Sequence, residues 1–145
     1  MVIVLVTVLV VIQFIPRNRN ASLSQSPERI TKVYPVSLGV EAIFKKSCYD
    51  CHSNHTNYPW YAKVQPLRYM LDNHIKGGKS ELNFDEFDAY TARKKRSRLR
   101  AIGESLDEGS MPLASYTLIH RDAILTEKDK ETLKNWVKMA QNMQQ

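Results

Sequence analysis

The chain has 145 residues, of which 43% are hydrophobic and 25% charged, and its formal net charge is +6. This length and composition are typical of one globular domain and exclude a disordered chain or a large multidomain protein. Two cysteines are too few for a disulfide-rich scaffold or a four-cysteine zinc site. The stretch from Thr91 to Arg100 holds six basic residues and no acidic one, so it accounts for the whole net charge.

The first segment is a continuous apolar run. Residues 2–15 are apolar apart from Thr7 and Gln13. As a helix they would rise ~21 Å, between the apolar part of a signal peptide and the ~30 Å of a full membrane span. A buried core helix is the less favoured alternative, because the run is apolar on every side. We expect an uncleaved membrane anchor over residues 1–16, with local bilayer thinning to accommodate its length.

A polar segment follows this run, beginning after Pro16. Residues 17–37 are rich in Asn, Ser, Pro and Gln, and we expect them to form a flexible tether. The folded domain is then expected over residues 38–145. Arg17 and Arg19 follow the apolar run with no basic residue before it, which by the positive-inside tendency indicates a cytoplasmic domain.

The pentapeptide Cys48-Tyr49-Asp50-Cys51-His52 is the attachment signature of c-type haem. Two thiols three positions apart on a helical turn can form thioethers with the two vinyl groups of one porphyrin, and the next imidazole can reach the iron. Upstream, Val40, Ile43 and Phe44 have the spacing of an amphipathic helix that leads into the motif. We therefore expect one covalently attached haem c, held by both cysteines, with His52 as an iron ligand.

Three other kinds of site could use these residues. A thioredoxin-type dithiol belongs in a βαβ unit, and no strand pattern surrounds Cys48. A zinc site could recruit Cys48, Cys51, His52 and His55, but the usual spacing between two ligand pairs is missing. A disulfide between the two cysteines would close a very small loop and stabilise the chain little. Haem attachment is favoured over all three.

The second axial ligand separates electron transfer from ligand binding. The candidates are Met111, Met70, His74, His55 and His120. Met111 lies in a turn-rich stretch before Pro112, whose ring fixes φ and holds the thioether on a stiff loop. Met70 lies on a helical stretch, where a methionine is more often part of the core. Met111 is the predicted ligand and His74 the alternative.

The stretch Tyr58-Pro59-Trp60-Tyr61 places aromatic side chains around a turn shortly after the haem motif. We expect Tyr58 and Trp60 to line the haem, with a hydroxyl or an indole N–H available to a propionate. A separate apolar cluster is an equally good interpretation of the same residues.

Two further helices are predicted in the second half of the chain. One carries the basic stretch and continues through the apolar positions Leu99, Ile102 and Leu106. Its charges are either a solvated face or a docking surface for an acidic redox partner or anionic lipid. A C-terminal amphipathic helix follows Thr126, which is suited to cap it. Its apolar positions are Leu133, Trp136, Val137 and Ala140.

These features resemble those of two known protein families. A first helix ending in Cys-x-x-Cys-His, a late Met-Pro loop and a final helix beginning Leu-Thr-Glu follow the order of class I cytochromes c. The chain is still more similar to a small bacterial family of membrane-anchored haem-binding domains. The stretches that carry this similarity are Ser47–Asn54, Tyr58–Tyr61, His74-Ile75, Gly78-Lys79, Leu82-Asn83-Phe84, Met111-Pro112-Leu113 and Tyr116–His120. The resemblance implies Cys48 and Cys51 as thioether sites, His52 as proximal ligand and Met111 as distal ligand.

The predicted fold is all-α, a cytochrome c-like helical domain around one covalently attached haem, preceded by an N-terminal membrane-anchor helix. The first functional hypothesis is single-electron transfer without enzymatic activity, to or from a periplasmic or membrane redox protein. The alternatives are a haem peroxidase or gas sensor with a labile distal ligand, and a zinc module. Because haem is attached covalently outside the cytoplasm, we expect an inner-membrane protein whose domain faces the periplasm, against the indication of the two arginines. No nucleic-acid partner is expected.

Overall fold

The computed structural model describes residues 1–22 and 29–144, and within these residues the chain is helical with no strand. The helices are α1 (Val2–Val11), α2 (Ile30–Val33), α3 (Leu38–Ser47), α4 (Tyr49–His52), α5 (Leu67–Glu81), α6 (Ala92–Glu108), α7 (Ala114–Thr117) and α8 (Glu127–Asn142). Short 3₁₀ turns occupy Ile12–Phe14, Trp60–Lys63, Phe84–Glu86 and Arg121–Ala123. The all-α prediction is confirmed.

Helices α3, α6 and α8 begin at side-chain caps, whereas α5 begins after Pro66 without one. The Ser37 hydroxyl accepts a hydrogen bond from the first turn of α3, and the Thr91 hydroxyl does the same for α6. Thr126 and Asp129 form a reciprocal capping box at the start of α8. Helix α6 ends at Gly109, whose φ of 65° lies in the left-handed region that glycine adopts without a steric cost. These caps satisfy backbone groups that the helix itself leaves unpaired.

The main core lies where α3 and α6 pack against α8. The apolar stripes predicted for these helices face it, and Phe44 meets Trp136 edge-on with ring centroids 5.1 Å apart. The buried members of the stripes are Val40, Ile43, Phe44, Leu99, Leu106, Leu133, Trp136, Val137 and Ala140. Phe84 and Phe87 complete the core from the stretch between α5 and α6. This arrangement carries the end of α3, and with it the haem motif, to the edge of the core.

The apolar run at the start of the chain forms α1 and the 3₁₀ turn after it. Every side chain of α1 is exposed. Its 10 residues rise only ~15 Å, about half of a bilayer core. Among the described residues, no helix is both long and apolar enough to cross a membrane. The anchor expected over residues 1–16 is therefore not found as a membrane-spanning helix.

The segment expected to be a tether, residues 17–37, contacts the domain wherever it is described; residues 23–28 lie outside the described part. Ile30 and Tyr34 are buried in the main core, and the Trp136 indole donates to the Pro35 carbonyl at 2.9 Å. The core thus extends upstream of residue 38. Composition alone suggested that boundary because only a few apolar residues stand among many polar ones in this stretch.

The N-terminal part of this segment lies along the domain surface. Asn20 accepts from the Thr56 amide at 2.9 Å, and an antiparallel bridge joins Ala21 to His55. Nearer the helix, the Gln13 side chain pairs with the backbone of Gln65, accepting from its N–H at 2.9 Å and donating to its carbonyl at 3.2 Å. The end of the apolar run is therefore held against the turn that precedes α5.

Candidate functional site

The haem motif is a single helical turn at the end of α3. Cys48 ends α3, and its carbonyl accepts from the amides of Cys51 and His52 at 3.2 and 3.0 Å. Because residues three or four apart lie on one face of a helical turn, this turn places two thiols and an imidazole on the same side of the helix. All three side chains are half-buried. The structure therefore has the local geometry that the sequence motif predicts.

The imidazole of His52 is oriented by a backbone carbonyl. Its Nδ1 lies 3.0 Å from the Leu82 carbonyl oxygen. Because a carbonyl can only accept, Nδ1 carries the proton and donates, which leaves the lone pair on Nε2. Burial lowers the pKa of His52, while hydrogen bonds to backbone carbonyls oppose this shift, so the ring is favoured in its neutral form. A neutral imidazole with a fixed tautomer is the form that ligates a metal.

Both thiols are poorly ionised. Burial raises the pKa of Cys48 to about 12 and that of Cys51 to about 11. A redox-active dithiol depends on a thiolate and therefore on a lowered pKa, whereas burial shifts the pKa of both of these thiols upward. Among the described residues, no three His, Cys, Asp or Glu side chains are grouped so that they could hold a metal ion. Neither dithiol chemistry nor a zinc module finds support in this geometry.

Two adjacent cavities open around the motif. The first, of about 190 Å³, lies against the core and is mainly apolar, with Phe44, Leu82, Phe84 and Leu133 in its lining. The second, of about 240 Å³, lies between the motif and α5. The side chains that line both cavities include Cys48, His52 and Met111. One predicted attachment site, the predicted proximal ligand and the predicted distal ligand therefore border the same space.

Helix α5 approaches the motif very closely at Gly78. A Cβ built on Gly78 would lie 2.7 Å from the carbonyl oxygen of Cys51 and 3.3 Å from its Cβ. No side chain fits at that separation, so a glycine is required for this packing. The contact positions the wall of the second cavity, to which His74 also contributes from α5.

The five candidates for the second axial ligand are placed very differently. Met111 lies on the loop between α6 and α7, lines both cavities and is 39% exposed. His74 lines the second cavity only. Met70 is 52% exposed on α5 and lies outside both linings. His120 is hydrogen-bonded to the Tyr61 hydroxyl at 2.9 Å, and His55 lies in the bridge to the N-terminal segment.

A family model described as a haem-binding domain matches residues 7–139. The chain belongs to the haem-binding domain family. No curated protein and no solved structure matches it.

The cavities of this haem-binding domain fit the cofactor that the family binds. A haem needs a large apolar surface for its ring, a nitrogen ligand for its iron and cations for its carboxylates. The apolar lining of the first cavity suits the ring, and the Nε2 atom of His52 can ligate the iron. The guanidinium of Arg98 supplies a cation for a carboxylate. The Nε atom of Arg98 is buried and has no hydrogen-bond partner within residues 1–22 and 29–144.

The structure does not bring the predicted aromatic pair to the cavities of the haem-binding domain. Tyr58 lies beneath the Arg68 guanidinium, 4.3 Å from the ring centroid, and its hydroxyl accepts from the Asn20 amide at 2.9 Å. Trp60 is 75% exposed and makes an edge contact with Tyr61. Neither residue lines either cavity. The separate-cluster interpretation describes Tyr58 better, because it packs beside a small second core.

Some residues of the site escaped prediction as site residues. Leu82 matters through its carbonyl, which every residue type carries, so no sequence signal could reveal it. The sequence places Arg98 in a basic stretch that is either a solvated face or a docking surface. The residue nevertheless lies four residues before Ile102 and seven before Ser105, and both of these line the first cavity with it. Helical periodicity could therefore have placed Arg98 on the inner face. Tyr116, which lines the second cavity, donates its hydroxyl to Asp50 at 2.8 Å.

Proposed function

We propose that this haem-binding domain is a c-type cytochrome that carries single electrons. The observation that carries the proposal is the oriented Nε2 atom of His52, on the same helical turn as two thiols and beside the same cavities as Met111. Paired histidine and methionine ligands favour electron transfer, because they leave no open position on the iron and raise its potential.

Each residue of the site has a distinct role in this proposal. Bound haem supplies a one-electron iron couple. Cys48 and Cys51 hold the cofactor through thioether bonds, each formed by addition of S–H across a vinyl double bond with no net oxidation. The Leu82 carbonyl fixes the tautomer of His52, so that its Nε2 is ready to ligate. The apolar lining of the first cavity excludes water, which lowers the reorganisation that accompanies a change of charge.

Location and partners follow from the same chemistry. Covalent haem attachment takes place outside the cytoplasm, so the proposed location is the periplasmic side of the inner membrane. The exposed apolar surface of α1 supports attachment to a lipid bilayer. Arg93, Arg96 and Arg100 line an open groove beside α8, which supports docking of an acidic periplasmic or membrane redox protein.

The decisive experiment is expression of the full chain with a c-type maturation system. We expect a haem that stays on the protein under denaturing conditions, a sharp α-band after reduction, and iron without zinc on elemental analysis. Cys48→Ser should lose the two-thioether attachment. Haem that dissociates on denaturation of the unmodified chain would contradict covalent attachment while leaving haem binding intact.

A flotation assay tests the membrane part separately. The full chain should float with anionic liposomes, and a variant carrying Val4→Asp and Val8→Asp in α1 should remain at the bottom of the gradient. Equal flotation of both proteins would contradict attachment through α1, without bearing on the haem site.

A second candidate function rests on the exposure of Met111. A thioether that is 39% exposed on a loop can leave the iron more easily than a buried one, which would open a site for peroxide or a diatomic gas. Carbon monoxide distinguishes the two functions. Slow or absent binding to the reduced protein supports electron transfer, whereas rapid binding supports a peroxidase or a gas sensor.

A further inference from the structure

Arg98 occupies an unusual position for a residue of a basic stretch. Its side chain is only 26% exposed and reaches into the lining of the first cavity. Among the described residues that line either cavity, it is the only arginine or lysine. The surrounding lining is mainly apolar, with Phe44, Leu82 and Ile102 among its members. A cation in such surroundings indicates a negatively charged ligand.

The hydrogen bonds of Arg98 are only partly satisfied within the chain. Its Nη1 atom donates to a Glu81 carboxylate oxygen at 2.9 Å. Its Nε atom is buried and has no hydrogen-bond partner among the described residues. An unpaired buried N–H is energetically costly, and a guanidinium is suited to hold a carboxylate through two parallel hydrogen bonds. The Nε edge is therefore free for an anion within the cavity.

We propose that Arg98 binds a carboxylate of the haem, through its Nε edge, and so raises the reduction potential of the iron. The inference rests on the proposed function, because that function places the haem in this cavity. Glu81 pairs with the Nη1 atom of the same guanidinium: its side chain also lines the first cavity but is 72% exposed. A cation close to the cofactor stabilises the reduced state, which carries one more electron than the oxidised state.

The test is the redox equilibrium of Arg98→Gln, measured by spectroelectrochemistry on the full chain carrying covalent haem. At the midpoint potential of the unmodified protein, we expect the ratio of reduced to oxidised haem to fall about 3- to 15-fold, as Coulomb's law gives for one charge roughly 10 Å away in a partly screened site. Arg98→Lys keeps the charge but cannot form the bidentate hydrogen bond. Its ratio of reduced to oxidised haem should therefore lie between the ratios of Arg98→Gln and the unmodified protein. The effect should persist in high salt, because a buried charge is little screened.

Two matched variants separate this role from others. Arg93→Gln removes an equal charge from the same helix, where the side chain lines the outer groove, and should change the ratio less than 2-fold, by an amount that salt reduces further. Glu81→Gln removes a negative charge from the same ion pair, so it should leave the ratio unchanged or raise it, and should not lower it.

Three results would overturn the proposal. The ratio in Arg98→Gln could match that in Arg93→Gln, which would show no specific contact with the cofactor. Glu81→Gln could lower the ratio as much as Arg98→Gln does, which would show that the ion pair, and not a contact of Arg98 with the cofactor, sets the ratio. Absence of covalent haem from the unmodified chain would end both this inference and the proposed function, whereas the first two results leave the proposed function standing.

Discussion

At the scale of single residues, two adjacent glycines of α5 meet very different surroundings. A Cβ on Gly78 would collide with the Cys51 carbonyl, whereas a Cβ on Gly77 would meet no atom within 4 Å. Both positions lie in the same helix, so their intrinsic helix propensities are alike. Comparing the two positions therefore isolates the contact between α5 and the helical turn that carries Cys51.

We predict opposite effects of alanine at these two positions. Gly77→Ala should stabilise the protein by about 0.5–1 kcal/mol, because alanine loses less backbone entropy in a helix. Gly78→Ala should destabilise it by about 1–3 kcal/mol, because α5 must shift away from the motif. Denaturant unfolding of the two variants measures both changes. Equal stabilisation by both would show that α5 does not pack this closely on Cys51.

A second prediction at this scale concerns the iron ligand. Met111→Ala should keep the haem attached, lose the weak charge-transfer band of methionine-ligated ferric iron, and bind carbon monoxide rapidly after reduction. His74→Ala is the control, because His74 also lines the second cavity. It should leave the spectrum unchanged. If the spectrum responds to His74→Ala and not to Met111→Ala, the ligand assignment must be reversed.

At the scale of elements, one carboxylate joins two helices of the core. Asp129 accepts from the Lys46 ammonium at 2.9 Å and also closes the capping box of α8 with Thr126. The hydrogen bond from Lys46 is the main cause that lowers the pKa of Asp129, with the Thr126 groups assisting. The contact therefore holds the start of α8 against the last turn of α3, which leads into the haem motif.

The lowered pKa of Asp129 predicts a pH dependence with a definite sign. Its contribution to stability is complete above the ordinary aspartate pKa of about 3.9 and is lost as the pH falls through the lower, folded-state value. Asp129→Asn should cost about 1 kcal/mol at neutral pH and flatten the fall in stability on acidification. Glu127→Gln removes an exposed carboxylate of the same turn, whose pKa is lowered by a solvent-screened pair with Lys130, and should flatten the acid slope much less than Asp129→Asn. Parallel acid unfolding curves for Asp129→Asn and the unmodified protein would contradict this assignment.

At the scale of the whole molecule, the N-terminal segment is part of the folded structure. Asn20 donates to the Ser53 carbonyl and the Thr56 hydroxyl at 2.8 and 2.9 Å, and accepts from Lys79 at 2.7 Å. Together with the Tyr58 hydroxyl, these contacts hold the segment beside the residues that follow His52. The aromatic residue predicted to line the cofactor instead secures this segment.

Tyr58→Phe tests that structural role. The change removes the hydroxyl that accepts the Asn20 amide and leaves the ring under Arg68, so we expect a loss of about 1 kcal/mol in stability. Limited proteolysis should cleave residues 17–22 faster than in the unmodified protein, with the haem spectrum unchanged. Trp60→Phe, at an exposed site, should alter neither property. A shifted haem spectrum in Tyr58→Phe would instead indicate that Tyr58 contacts the haem.

The helices and the haem motif can be predicted from the local sequence, whereas contacts between residues far apart in the chain cannot. The stripes of α6 and α8 and the turn at Cys48 follow from periodicity and spacing, which are properties of neighbouring residues. The contact of Gly78 with Cys51 and the bond from His52 to the Leu82 carbonyl join residues far apart in the chain. Such contacts depend on how the helices pack, and nothing in the local sequence indicates them.

The pairing of Gln13 with Gln65 has a consequence for how the protein meets its surroundings. A free tether over residues 17–37 could extend up to ~70 Å and let the domain turn in any direction. The chain instead fastens the end of its apolar run directly onto the domain. Under the proposed function, a membrane that binds α1 would hold every copy of the domain in the same orientation, with the haem edge facing one way. Only redox partners on that side would then exchange electrons with it.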